Sequence, residues 1–400
     1  MTLLEAISKA VANQDRVESQ SDYPIPLSND GIFANLKPKL ENPNPGTLIN
    51  PISGWGISGS DVEVIDLGKS FSSKLKRKLK DTNRFDKDEF FGMLKQFLEK
   101  IGEKVGISDA KTEELVLGDQ SGVEIHKLVE KNGFLMGRDV SGLVLKGCIR
   151  LEMWELVEIL ISNSLVDHSS YSYLVSNLVE KQQSYLLCVV IKQASDLGAT
   201  ELLSILKYFL CPSNEAVSTM AKVREEWDSQ ALLAIEKASN KEISKKSKVA
   251  EEASILLMVA HDGFSLSELC LHYLLASRNV DEVMFASAVS KLSGNEMSSF
   301  IRYLSKWMKK YERFPQAGPC PKADSILGLK LCNWVPTLED ITKCLGLFID
   351  ENFSSLVLHS DLHEELKSME RVADALASES KLCCFLANVV ESLKLKAARN

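Results

Sequence analysis

Few residues in this chain have the type and spacing that chemistry demands. HSDLH sets His359 and His363 four residues apart, on one face if a helix continues through them. Two imidazoles so placed can share a zinc ion, with Asp361 or Glu364 nearby. A zinc protease, however, needs Glu directly after the first His, and Ser360 stands there. No cysteine pair at zinc spacing lies close, and Asp361 is also suited to capping the last helix, so a structural role is the stronger reading. GISGS, from Gly56 to Ser60, lacks the Lys-Ser/Thr ending of a phosphate loop. It also puts Ser60 where a nucleophile elbow needs its last glycine. Cys383 and Cys384 lack the two-residue spacer of a redox pair, and a buried helical position is expected for them. No catalytic, cofactor-binding or metal-ligating residue is therefore assigned.

KLKRKLK is more informative. Lys74, Lys76, Arg77, Lys78 and Lys80 surround the apolar line Leu67, Phe71, Leu75, Leu79, which defines a basic amphipathic helix. Such a segment suits nuclear import, a phosphate backbone or an acidic membrane surface. The alternative is a solvated face that is simply basic. KKSK, from Lys245 to Lys248, is a second, weaker basic spot. Aromatic residues do not interleave with either patch as base stacking would require. Contact with an RNA backbone is open to these lysines; sequence readout is not indicated.

The elements that must position these residues are helical. Residues 14–60 hold Pro24, Pro26, Pro38, Pro43, Pro45 and Pro51 among many Asn, Ser and Gly, the composition of an irregular segment. One short strand is expected at Val62–Ile65. From Gly68 onward the apolar period is that of helices. A basic and amphipathic helical segment is expected over 61–135, and a stack of helical hairpins over 136–400. PTLEDITKCLGLFIDENFSSLVL (Pro336–Leu358) illustrates the pattern. Leu338, Ile341, Leu345, Phe348 and Asn352 form one line, widened by Cys344, Ile349, Phe353 and Leu356. Asp340, Lys343, Asp350, Glu351 and Ser354 lie opposite. Thr337 and Asp340 form a capping box with Asp in place of Glu. The last helix, from Asp361, carries Leu362, Leu366, Met369, Val372 and Leu376, then Leu382, Phe385, Leu386, Val389 and Leu393. That line is longer than one neighbouring helix covers, so Leu376, Leu382, Phe385, Leu386, Val389 and Leu393 are assigned to partner binding. The fold class read here is all-α: an irregular α-solenoid or stacked helical hairpins, with an ordinary bundle as the alternative.

Composition sets the remaining bounds. The 400 residues are 45% hydrophobic and 26% charged, enough for one large core or two smaller ones. Against 55 Asp and Glu there are 47 Lys and Arg, a net charge of -8, which disfavours nonspecific nucleic-acid binding by the whole chain. The nine cysteines mostly sit in apolar helical runs, as small buried hydrophobes of a reducing compartment. MTLLEAISKAVANQ has neither the basic start nor the cleavage site of a secretory signal. Apolar runs such as Tyr185–Ile191 and Ile255–Ala260 are too short to span a bilayer. A soluble, intracellular protein without membrane partners is expected.

Pro336-Thr337-Leu338, Leu347–Phe353, Leu356-Val357-Leu358 and the helix DLHEELKSMERVADAL together resemble the carboxy-terminal end of the nucleolar protein eleven family. The leucine-rich helix pairs before them, including residues 170–210, resemble that family's hairpins. The resemblance covers roughly residues 140–400. It implies a non-enzymatic helical scaffold of the t-UTP (UtpA) subcomplex of the small-subunit processome, in the nucleolus of the nucleus. Such a protein supports ribosomal DNA transcription and early pre-ribosomal RNA processing, binding other helical or propeller scaffold proteins through its helical tail. Family members usually carry an amino-terminal β-propeller, whereas this chain shows no bladed repeat. The alternatives are an α-solenoid subunit of a vesicle coat or tethering complex, and a helical enzyme with a metal at His359 and His363.

Overall fold

The structure, a computed structural model, describes residues 59–80, 85–106, 121–239 and 244–397. The Pro- and Asn-rich segment lies outside them, except that Gly59 and Ser60 begin the first helix. Among the described residues the fold is all-α, with no strand. In chain order the helices are α1 (Gly59–Lys80), α2 (Lys87–Val105), α3 (Ser121–Asn132), α4 (Arg138–Arg150), α5 (Trp154–Ser162) and α6 (Tyr171–Glu180). There follow α7 (Ser184–Gln193), α8 (Ala199–Leu210), α9 (Asn214–Thr219), α10 (Ala221–Ser239), α11 (Ser244–His261) and α12 (Leu266–Ala276). The last are α13 (Glu282–Val289), α14 (Gly294–Arg313), α15 (Lys322–Leu327), α16 (Leu338–Leu358) and α17 (Ser360–Ala397). Sequence neighbours pack together, as in α1 on α2 and α4, α7 on α5, α8 on α6, α10 on α11, and α14 on α16 and α17, while α7 on α12 and α8 on α13 join helices far apart in the chain. The result is an irregular stack of helices of very unequal length, from six residues in α9 and α15 to 38 in α17.

The strand expected at Val62–Ile65 is not formed; those residues are the second turn of α1. Their β propensity yields to a longer helical period in which Phe71 and Leu75 are buried, with Val64, Leu67 and Leu79 packed beside them. Phe71 stacks on Phe97 of α2, ring centroids 4.2 Å apart. A salt bridge between Glu63 and Lys104 ties the start of α1 to the end of α2, at 2.6 Å.

Three successive helices, α4, α5 and α6, end in the same way. Glu152, Ser164 and Gln182 adopt left-handed backbone with φ of 52°, 55° and 54°. The next residue's amide then donates back to a buried helical residue's carbonyl: Met153 to Cys148, Leu165 to Leu160, Gln183 to Leu178, at 2.8–2.9 Å. This is the Schellman termination, and here it uses non-glycine residues, each at a cost of about 1 kcal/mol. Packing of the hairpins on both sides offsets that cost, since Cys148, Leu160 and Leu178 are fully buried.

An aromatic cluster of the core surrounds His272 of α12. Its ring lies 4.6 Å from Phe264 and 4.8 Å from Trp307, with Trp227 and Tyr303 beyond. Nε2–H donates to the carbonyl of Ala260 at 2.9 Å, and Nδ1 accepts from the Tyr303 hydroxyl at 2.8 Å. Both ring nitrogens are thus satisfied in one neutral tautomer. Burial lowers the imidazole pKa to about 3. This group locks α11, α12 and α14 together and supports the platform on which α16 rests.

Candidate partner-binding surface

The opening of α16 forms as its sequence dictates. The Thr337 hydroxyl accepts from the amide of Asp340 at 3.1 Å, and the Asp340 carboxylate accepts from the amide of Thr337 at 2.8 Å. This is a capping box with the shorter acid. Ile341, Cys344, Phe348, Asn352 and Leu356 are buried. Phe348 meets Phe300 of α14 edge-on, ring centroids 5.4 Å apart. Asn352 keeps its amide satisfied by donating to the carbonyls of Val289 and Phe348, at 3.2 and 3.0 Å. Lys343 pairs with Glu282 of α13.

His359 and His363 do not share a helical face, because the helix stops between them. His359 is the C-cap of α16, with φ −93° and ψ 84°. Its ring lies over Gly294, where a Cβ would come within 3.0 Å of it. His363, in the first turn of α17, directs Nε2 at the carbonyls of Leu356 and Val357, 3.2 Å from each. There it satisfies carbonyls left free at the end of α16. Among the described residues no group of three or more His, Cys, Asp and Glu is placed to hold a metal ion.

The first half of α17 is docked. Leu362, Met369 and Val372 are buried, and Leu366 and Leu376 pack against the core. Glu365 accepts from Lys309 at 2.8 Å and from the Ser305 hydroxyl. These two bonds hold its carboxyl pKa below the ordinary range. Beyond Leu376 the helix changes character: every side chain from 377 to 394 is exposed. Leu382, Phe385, Leu386, Val389, Val390 and Leu393 form an apolar stripe in open solvent, with Phe385 65% exposed. At 3.6 residues per turn the centre of this stripe is rotated by about 130° from the face that docks the first half. The stripe therefore does not extend the seam against the body.

A second apolar surface lies earlier along α17 and on a different side of it. An open groove of about 570 Å³ runs between α16 and α17, lined by Leu345, Ile349, Phe353, Val357, Leu366 and Met369. Phe353 is 63% exposed, and Val357 and Leu358 are exposed with it. Phe353 is thus not on the buried line expected for it. Past Asn352 only Leu356 stays buried, and Phe353, Val357 and Leu358 are apolar residues exposed on several sides of the helix. The sequence carried a sign of this: Phe353, Leu356, Val357 and Leu358 leave the last two turns with no fully polar face.

Of the assigned partner-binding residues, Leu376 is half-buried in the docked seam, while Leu382, Phe385, Leu386, Val389 and Leu393 share the stripe. Cys383 and Cys384 are exposed rather than buried, since no other described helix covers this part of α17. Six other cysteines, Cys148 and Cys270 among them, are buried, and all nine are free thiols. In the basic patch, Lys74, Lys76, Arg77, Lys78 and Lys80 face outward on α1. Lys78 pairs with Glu89 at 2.6 Å, and Arg77 Nε donates to the Ser73 carbonyl at 3.4 Å. Of KKSK, Lys248 is exposed and pairs with Glu252 at 3.8 Å. No described helix is long and apolar enough to cross a membrane.

No protein-family model, no curated protein and no solved structure matches this chain.

Proposed function

We propose that the protein is a non-enzymatic helical scaffold that holds components of a large assembly together through the apolar end formed by α16 and α17. The observation that carries this reading is the stripe and groove at that end. Two unpartnered apolar surfaces lie there, on different sides of α17, while most other large apolar side chains among the described residues are packed away. The resemblance of residues 140–400 to the nucleolar protein eleven family supports placing that assembly in the nucleolus. The role would then be to support the small-subunit processome, pre-ribosomal RNA processing and ribosomal DNA transcription. The outward basic face of α1 is suited to nuclear import or to contact with an RNA backbone that does not read sequence.

Co-purification of the tagged full chain tests the proposal. The wild type is expected to recover small-subunit processome scaffold proteins. A variant with Phe353, Val357, Leu382 and Phe385 changed to Asp should lose them while keeping its helix content, because all four sites are exposed. Changing Lys76, Arg77 and Lys78 to Ala should move the protein from nucleus to cytoplasm. Unchanged recovery by the four-site variant would reject the surface. Recovery of vesicle-coat or tether subunits by the wild type would reject the nucleolar placement.

A further inference from the structure

We infer that the stripe on the free half of α17 pairs with the same stripe of a second copy of this chain, the two helices running antiparallel. This deepens the scaffold reading by naming the occupant of one of its two surfaces, and it leaves the α16–α17 groove for a partner of another kind.

Three features of the stripe point to a second copy. The first is spacing. Leu382, Phe385, Leu386 and Val389 are disposed symmetrically about the midpoint between 385 and 386. A two-fold axis through that midpoint sets Leu382 beside Val389 of the other copy and Phe385 beside its Leu386. Self-complementarity of this kind is what a closed two-fold interface requires. The second is charge. Glu379 and Lys394 lie along the same flank of the stripe, near its opposite ends. In antiparallel helices like flanks meet, so Glu379 of each copy faces Lys394 of the other, twice per pair. Among the described residues neither is held in a salt bridge within its own chain. The third is area. The six stripe residues are 40–65% exposed. Covering them would bury on the order of 500 Å² per copy, or about 1,000 Å² for the pair before flanking atoms are counted, just under the roughly 1,200 Å² at which stable specific interfaces begin. An interface of that size can be formed by the stripe itself, without the rest of the chain.

The test is the mass of the purified full chain by sedimentation equilibrium. At about 10 µM, where a pair of micromolar or tighter affinity is populated, the wild type is expected at twice 44.4 kDa. Leu382→Asp with Phe385→Asp should return the protein to 44.4 kDa with its circular dichroism unchanged. Glu379→Lys should weaken the pair, and adding Lys394→Glu should restore it. Orientation is read by cross-linking after Cys383 and Cys384 are changed to Ser. Leu382→Cys chains should then join Val389→Cys chains rather than one another. A wild type that stays at 44.4 kDa overturns the inference, as does a dimer that survives the double Asp change. Leu382→Cys chains that join one another overturn the antiparallel arrangement. The scaffold reading fails separately: a dimer that recovers no processome protein rejects that reading alone, and a monomer that recovers them rejects this inference alone.

Discussion

Acidification should destabilise this protein through a single buried imidazole, His272. Its folded pKa is lowered to about 3, first by burial, with Lys310 and His261 acting in the same direction and the Ala260 carbonyl against them. In the unfolded chain the group returns to about 6.5. Between these values the unfolded state holds the proton and the folded state does not, so stability is fully present above about pH 6.5 and falls as pH drops toward 3. From pH 8 to pH 5 the loss works out at about 2 kcal/mol, from 1.36 kcal/mol per pKa unit over the interval below 6.5. For a chain of this size that lowers Tm by roughly 2–3 °C. The perturbation that isolates it is His272→Gln. The amide can still donate to the Ala260 carbonyl and accept from the Tyr303 hydroxyl, but it does not titrate. Urea unfolding of both proteins at pH 8 and pH 5 is the assay. The wild type should lose about 2 kcal/mol more than the variant over that interval. Parallel losses in the two proteins would refute the assignment of a neutral, buried His272.

The phase of α16 is tested by a pair of substitutions. Phe348→Asp puts an unpaired charge beside Phe300 in a fully buried position and should cost several kcal/mol. Asp350→Ala, on the exposed face, should change stability by less than about 0.5 kcal/mol; equal effects in thermal melts would show the phase to be wrong. At the contact of α2 with α4, a Cβ on Gly147 would come within 2.5 Å of the ring of fully buried Phe90. Gly147→Ala should therefore destabilise by about 1–3 kcal/mol despite the better helix propensity of Ala. A melt equal to or above the wild type would mean the ring has room to move.

What was legible in the sequence is local. The capping box of Thr337 and Asp340, the core line through Ile341 and Phe348, and the apolar line of α1 under the KLKRKLK patch all follow from helical period and turn chemistry. Those signals reside in neighbouring residues and survive any packing. The stripe from Leu382 to Leu393 was legible for the same reason, as an apolar line outrunning its neighbours. Tertiary structure decided which apolar lines are covered. Leu376 and Leu382 read alike in sequence, yet one packs on the core and the other meets solvent, because α14 and α16 reach only the first half of α17. Phe353, Cys383 and Cys384 were misplaced on that account: hydrophobicity records a preference for burial, not the presence of a neighbour. Val62–Ile65 became helix because the contacts of α1 with α2 and α4 outweigh a four-residue β preference. The break at His359 separated two histidines that an unbroken helix would have brought together. Helix packing, which no periodicity records, set where that break falls.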